Sequence, residues 1–557
     1  KLARVPLGSG AAISAFIHRC SRQLKKGGRP VFGLRGIGTE KEGGTRDMEQ
    51  YILAHDLGTS GNKATLYNLE GVLTASLVRD YPTYYPHNGW VEQSAEDWWE
   101  AVCASTKSLL EESGVSPSNI SCVCFSAQMM ACLLLDGDGV PMRNALIWAD
   151  TRSAEQERYM LGRVDMQAGY RITGHRLGAS YSAAKLLWVK EHEPEIYQKA
   201  DKMINAKDYI VYKLTGRLMT DYSDASGTNL LDIGTKRWSG ELLEAFDIRG
   251  ALLPDLYPST HVAGGVTPAA ARLCGLVEGT PVVVGGGDGS CACVGAGVVQ
   301  PGSVYNVVGS SSWVSMAATQ PYFDPDMRTF NFVHLDQNLY TPCGSMQSAG
   351  YSYNWFRSTL CGEEIAAANI AGVSSYKILD RLVERSPAGA RGLLFLPYLL
   401  GERSPHWDLD ARGAFVGLGI SSEKGDMARA VLEGVAFNLK IILDILGKYT
   451  RIEDVILIGG GTKGRTWLQI ISDIWQKELK VPQYLEEATS MGAAICGGVG
   501  IGAYSDFLVA EKLNKTVDVI VPNPENAEIY SRLYRVFCRA YQQLAPIYKD
   551  LADVSRG

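Results

Sequence analysis

No uninterrupted apolar stretch in this chain reaches the roughly 18 residues that a membrane-crossing helix needs. The nearest, 282–299, contains Asp288 and many glycines. The twelve cysteines include no C-x-x-C pair, which removes zinc-type and thioredoxin-type spacings. An excess of positive charge is missing as well: 54 basic against 60 acidic residues give −6, which argues against a general nucleic-acid binder. No segment fits the P-loop pattern G-x-x-x-x-G-K-[ST], and none has a convincing dinucleotide fingerprint. Neither aspartate nor glutamate occurs in the first 39 residues.

What is present is an ordinary globular composition, 46% hydrophobic and 20% charged, which excludes a disordered or collagen-like chain. The length of 557 residues allows three to four domains of about 150 residues or two of about 250. Charge is unevenly spread. Residues 1–47 hold ten basic and three acidic residues, a net of +7, which leaves −13 for the remainder. The chain opens on Lys1, and Met48 stands just before the first convincing strand. This basic leader reads as a transit peptide, an upstream translated stretch, an expression remnant or a disordered tail, and is set aside from the fold. The C-x-C pairs Cys122/Cys124 and Cys291/Cys293 place both thiols on one face if they lie on strands, where they act as small buried hydrophobes. Reduced thiols point to a cytoplasmic setting.

Strands are expected at 51–55 and 64–67 around the turn Asp56-Leu-Gly-Thr-Ser-Gly-Asn62, then at 120–126 and 131–135. Ser94-Ala-Glu-Asp97 resembles a capping box ahead of a helix carrying Trp98 and Trp99. Helices are expected near 154–161, 183–192 and 208–214. The pattern restarts after Pro301-Gly302: 303–315 reads as strand, Gly/Ser turn, strand, an echo of the opening segment. A strand at 455–458 ending in Gly459-Gly-Gly461, a helix at 466–477 and a Gly-rich segment at 490–498 come after it. Strands mixed with helices of this length predict α/β layering.

Turns at 58–62, 309–312 and 459–461 can each converge backbone N–H groups on an anion. Asp56 leads the first. A carboxylate beside a phosphate site makes sense once Mg²⁺ sits between them, although Asp also starts turns for purely local reasons. Lys63 either offsets phosphate charge or is a solvated strand residue. Asp288, in Val284-Gly-Gly-Gly-Asp-Gly289, stands past an apolar strand, where open α/β sheets bind ligands. It is placed to take a proton from an attacking hydroxyl, or else caps the helix after it. His55 and His175 have no metal or triad spacing and read as structural. Tyr81, Tyr84 and Tyr85 read as loop packing.

The segments Ser180-Tyr-Ser-Ala-Ala-Lys185-Leu-Leu-Trp188-Val-Lys-Glu191-His192 and Gly413-Ala-Phe-Val-Gly417-Leu418, followed after seven residues by Asp426-Met-Ala-Arg-Ala430-Val-Leu-Glu433, carry a resemblance. Across roughly residues 50–545 the chain resembles the FGGY family of carbohydrate kinases, closest to its xylulokinase-like members. The resemblance implies two actin-like, ribonuclease H-like domains with a cleft between them, over 48–300 and 301–546, followed by a tail at 547–557. It implies ATP and sugar in that cleft and ATP-dependent phosphorylation of a terminal sugar hydroxyl. On that template Asp56 helps hold Mg²⁺; Thr59, Ser60, Lys63, Gly309 and Ser310 meet the phosphates; Gly460, Gly461 and Gly492 border the adenosine. Asp288 is the base, and Gln128, Met129, Trp148 and Asp150 line or flank the sugar. The resemblance allows a homodimer, with no nucleic-acid or membrane partner.

Two departures bear on the sugar. Met130 stands where xylulokinases typically carry His, and Gly289 follows Asp288 where they carry Asn. Both remove polar side chains from a pocket that discriminates through hydroxyl contacts. D-xylulose is the first expectation; another ketose, a polyol or an autoinducer-type sugar derivative are alternatives. Arg403 is expected in a loop ion pair, as with Glu402. The rival of another class is an actin-like, nucleotide-gated interaction protein without sugar kinase activity.

Overall fold

The computed structural model describes residues 49–556. The basic leader lies outside the described residues.

The first half is built on a seven-stranded sheet. Its opening strands are β1 (Tyr51–Leu57), β2 (Gly61–Asn68) and β3 (Leu73–Asp80), an antiparallel meander. Then come β4 (Ile120–Ala127), β5 (Val262–Gly265) and β6 (Pro281–Val283). The spatial order is β5-β6-β4-β1-β2-β3, with β4 parallel to β1 and β6 parallel to β4. The two-residue segment Gly286–Gly287 also pairs with the end of β4. Strands β1 and β4 are buried on both faces, which is why they read as near-continuous apolar runs.

The second half repeats the plan with β7 (Val304–Val308), β8 (Ser312–Met316), β9 (Phe330–Val333), β10 (Tyr340–Met346), β11 (Asp454–Ile458), β12 (Glu478–Pro482) and β13 (Thr516–Ile520). The order is β9-β10-β8-β7-β11-β12-β13. From β10 to β13 the pairings run antiparallel, antiparallel, parallel, parallel, antiparallel. From β3 to β5 they run the same way. The echo in the sequence is therefore a repeated sheet.

Six helices bear on the site and the cores: α1 (Ala95–Ser113), α2 (Ser182–His192, in a cluster apart from the large sheets), α3 (Asp288–Gly295), α4 (Lys424–Leu446), α5 (Arg465–Trp475) and α6 (Ala488–Gly500). Helix α4 is the spine of the second core, with Val431, Val435, Leu439 and Ile442 at zero exposure against Phe395, Leu457 and Ile471. The second-half helix α6 packs under the first sheet, its Met491, Ile495 and Cys496 clustering with Ile52, Ala54 and Cys124. In exchange, Ala292, Cys293 and Ala296 at the end of α3 cluster with Tyr305 and Ile458 of the second sheet. The two helices meet backbone to backbone. A methyl group on Gly295 would stand 1.7 Å from the Ala488 carbonyl oxygen, and one on Gly492 would stand 1.8 Å from that of Cys291. Only glycine fits at either position.

Three expectations are corrected here. Ser94 makes no side-chain capping bond, so the capping box is absent. Cys291 and Cys293 lie on helix α3, where a spacing of two points them apart: Cys291 joins the first-sheet cluster and Cys293 the second. Residues 547–556 are no separate tail: a helix spans Ala527–Arg556 and buries Tyr548 and Ala552.

Candidate active site

The first sheet places two carboxylates at one end of its parallel strands. Asp56 lies in register with Ser126 of β4, and Gly286 lies in register with the same serine from the other side. Neighbouring strands are about 4.8 Å apart, so Asp56 and Gly286 are separated by about 10 Å across Ser126. Ser126 Oγ donates to Asp56 Oδ1 at 3.0 Å. Two residues past Gly286, Asp288 occupies the first turn of α3, where the Gly289 N–H donates to its Oδ1 at 2.7 Å. Asp288 is thus inside the helix and not its cap, a position that favours a negative charge. Burial nevertheless pushes its carboxyl up from 3.8 to about 7, with the like charge of Asp56 adding to the rise. Burial raises Asp56 as well, against the pull of Ser126 and Lys63. The two carboxylates sense each other, which is the arrangement a divalent cation relieves.

Around them the chain supplies unpaired amides. Among the described residues the N–H groups of Thr59, Ser60 and Ser310 donate to no protein acceptor. The Gly309 N–H is taken by the Ser311 carbonyl at 3.1 Å, so the donor of that turn is Ser310. Gly461 is pressed on β7: a methyl there would stand 2.4 Å from Val308 Cγ1, and the neighbouring Gly459 adopts φ 94° against the Val308 backbone. The turns at 309–312 and 459–461 are therefore one structure. Gly460 faces Glu486, whose carboxylate holds Lys463 at 2.6 Å.

The sugar-side candidates also converge, with one exception. Gln128 extends the β4 ladder, its N–H bonding the Leu57 carbonyl at 2.9 Å. Met129 is buried on Gly287, where a methyl would meet its Sδ at 2.4 Å. Met130 takes φ 64°, and its carbonyl is held by Lys185 Nζ at 2.7 Å, which also bonds the Ser180 carbonyl at 2.6 Å. Burial depresses that ammonium to about 7. Met129 and Met130 pack with Phe330, Phe332 and Trp407, an apolar wall. Trp148 is partly exposed and its indole donates to Thr59 Oγ1 at 2.9 Å. Asp150 does not join them. It is fully buried, both oxygens bond the Arg152 guanidinium, and Oδ2 also accepts from the Val91 N–H. Arg152 in turn lies 3.9 Å over Trp90 and 4.9 Å over Trp188, so this group braces the fold.

The profile of the FGGY family of carbohydrate kinases, N-terminal domain, matches residues 51–295, and that of its C-terminal domain matches 304–501. The chain belongs to the FGGY family of carbohydrate kinases. It is 33% identical over 510 residues to a xylulose kinase of Staphylococcus epidermidis, covering 91% of this chain and all of that one. A ligand-bound xylulose kinase from Lactobacillus acidophilus superposes with a TM-score of 0.84 at 30% identity, over 90% of this chain and all of that one. A gluconate kinase from the same organism gives 0.84 at 29% identity, with the same coverage. As an FGGY kinase the protein is a sugar kinase of xylulokinase-like type, and the family implies the use of ATP.

Other expected residues serve elsewhere. Lys63 Nζ donates to the Glu486 carbonyl at 2.7 Å, a strap between the two halves. Gly492 lies inside the α3–α6 contact. Glu402 accepts from the backbone N–H of Arg403, not from its guanidinium. His55 bonds Asn62 and Thr106 in the core, and burial lowers it to about 4. Tyr81 packs on a loop as expected, but the sequence does not show that the loop is the 58–62 turn, where its hydroxyl donates to the Gly58 carbonyl; nor does it show Gln93, whose amide reaches the Thr59 carbonyl at 2.7 Å. Neither sits in a recognisable pattern; each is brought in by a turn of chain 20 or more residues downstream.

Proposed function

We propose that the protein phosphorylates a terminal hydroxyl of a ketose, D-xylulose in the first place, giving D-xylulose 5-phosphate. The observation that carries the chemistry is Asp288, a buried carboxyl raised to about 7 at the mouth of the first sheet, beside Asp56. A base near neutrality matches the task of accepting a hydroxyl proton as the phosphoryl group arrives. The sugar lies on the Gln128–Met130 segment, with its reacting hydroxyl at the Asp288 carboxylate. Thr59, Ser60 and Ser310 turn their amides on the phosphates and hold the transferring group in line. The turn at Gly460 and Gly461 borders the adenosine. Asp56, with Asp288 nearby, would hold Mg²⁺, which supplies charge neutralisation between carboxylate and phosphates.

D-Xylulose is supported by the xylulose kinases among the relatives. Gluconate is the second reading, because the gluconate kinase superposes equally well. Coupled ADP release across D-xylulose, other ketoses, pentitols, glycerol and gluconate decides between them. The highest kcat/KM is expected with D-xylulose; a preference for gluconate overturns the assignment.

A further inference from the structure

Three buried side chains behind the sugar segment form a chain whose hydrogen-bond direction is determined from one end. The Trp98 indole is fully buried, and its Nε1–H donates and never accepts. It bonds Gln93 Oε1 at 2.9 Å. At the other end of the same amide, Gln93 Nε2 lies 2.7 Å from the Thr59 carbonyl, which only accepts, and 2.8 Å from Thr83 Oγ1. Both ends agree: inverting this amide would set nitrogen against an N–H donor and oxygen against a carbonyl. The orientation of Gln93 then dictates that of Gln128. Gln128 Nε2 stands 2.6 Å from Gln93 Oε1, and the inverted amide would bring two carbonyl oxygens to that distance. Gln128 Oε1 is what remains; it is buried and has no protein partner. A buried carbonyl oxygen without a donor is costly, and a ligand hydroxyl removes that cost.

We propose that Gln93, oriented by Trp98, is a positioning residue that presents Gln128 Oε1 as an acceptor for a substrate hydroxyl and ties the sugar segment to the phosphate turn through the Thr59 carbonyl. This rests on the placement of the sugar at Gln128. At that spot the site takes a hydroxyl donor and rejects an ether, carboxylate or phosphate oxygen, none of which donates a hydrogen bond.

The test compares the sugar that the wild-type enzyme turns over best with its monodeoxy analogues. In the wild type, one analogue is expected to lose roughly ten- to hundredfold in kcat/KM, the cost of leaving Gln128 Oε1 unpaired. In Gln93→Leu the parent sugar falls and that ratio collapses to within about threefold, while KM for ATP rises as the Thr59 carbonyl is released. Gln93→Glu keeps acceptors for Trp98 and Gln128 but loses the donor to Thr59; it should retain the deoxy ratio and show only the ATP effect. Trp98→Phe removes the indole N–H together with part of the buried ring and should lower the ratio part-way while Gln93 itself is kept, which keeps the test open if Gln93→Leu does not fold. A merely structural role would lower parent and analogue together. The proposal is overturned if the ratio is unchanged in folded Gln93→Leu, or in Trp98→Phe should that variant alone fold. If instead the wild type turns over every analogue like the parent, it is the placement of the sugar at Gln128 that fails.

Discussion

The two halves share a strand plan and differ in what stands beside the glycine turn of each. In the first, Asp56 stands one residue before the end of β1, paired with Lys63 on one side and Ser126 on the other. The corresponding residue of β7 is Val307, paired with Trp313 and Ile458. The same point of the same sheet is thus ionic in one half and apolar in the other. The glycine turns after β1 and β7 both present free amides; the first half sets Asp56 and Asp288 by its turn, whereas the second sets Glu486 by Gly460, where it is paired with Lys463. A repeated scaffold supplies two turns with free amides; on the proposed reading, Asp56 and Asp288 make the first half the seat of metal binding and proton transfer and leave the second to hold nucleotide.

The comparison breaks most completely at Asp288, which has no counterpart in the second half. Asp288→Asn should lower kcat by roughly 10²–10⁴-fold, the usual contribution of a positioned base, with ATP affinity near wild type. Turnover and nucleotide titration on the same preparation check this. A variant with undiminished turnover would remove the functional difference between the halves.

The next effect is on stability and concerns what the halves exchange. Helices α3 and α6 cross sheets and touch through Gly295 and Gly492. A methyl at either position meets a carbonyl oxygen within 2 Å, and neither helix backbone can yield without moving a sheet. Gly492→Ala should cost about 3 kcal/mol, at the upper end of overpacking, and more if the crossing cannot relax. Urea unfolding measures it. An unaffected midpoint would mean that the halves are not joined at this crossing.

A smaller effect concerns the charge pair itself. The fold raises Asp288 from 3.8 to about 7, so the native state retains a proton that the unfolded chain releases. Stability is therefore lost as pH rises from about 4 to about 7 and stays lost above. In metal-free, nucleotide-free protein, Asp288→Asn should unfold at a higher temperature than wild type at pH 8, and the gap should narrow at pH 5. Asp56→Asn removes the like charge, which lowers Asp288 and flattens the same dependence. Parallel pH profiles of wild type and Asp56→Asn would show that the carboxylates do not interact.

Much of this plan is legible in the sequence, because strands buried on both faces announce themselves as apolar runs and the turns as glycines. The strand–turn–strand at 303–315 is visible for that reason. Asp56 and Asp288 stand out because a carboxylate at the end of an apolar strand violates the local pattern. What local pattern does not carry is pairing at a distance. Asp150 looks like a site residue until Arg152 and Val91 close on it. Gly492 sits in a segment that reads as a ligand turn, yet its missing side chain answers to a helix 197 positions earlier in the chain, counted from Gly295. Gln93 and Tyr81 gain their roles from Thr59 and Gly58 of the 58–62 turn, more than 20 residues upstream of each. Parts of the family motifs themselves prove architectural: Lys185 ties Met130 to Ser180, and Glu433 gathers the Gly389 N–H, Arg429 and Tyr530.

Lys63 offers the finest test of how the halves divide their work. Paired with Asp56 across the hairpin, it is the natural candidate to meet phosphate, and its counterpart Trp313 has no charge. Its ammonium instead reaches the Glu486 carbonyl of the other half at 2.7 Å, on the surface. An exposed bond of this kind contributes little beyond what water offers. Lys63→Met should accordingly leave KM for ATP within about twofold and turnover nearly unchanged, since removing a true phosphate contact would cost about tenfold or more. Steady-state kinetics at two ionic strengths separates the cases. A salt-dependent tenfold rise in KM would return Lys63 to the phosphates and make the first hairpin, and not the carboxylates alone, the ionic element that the second half lacks.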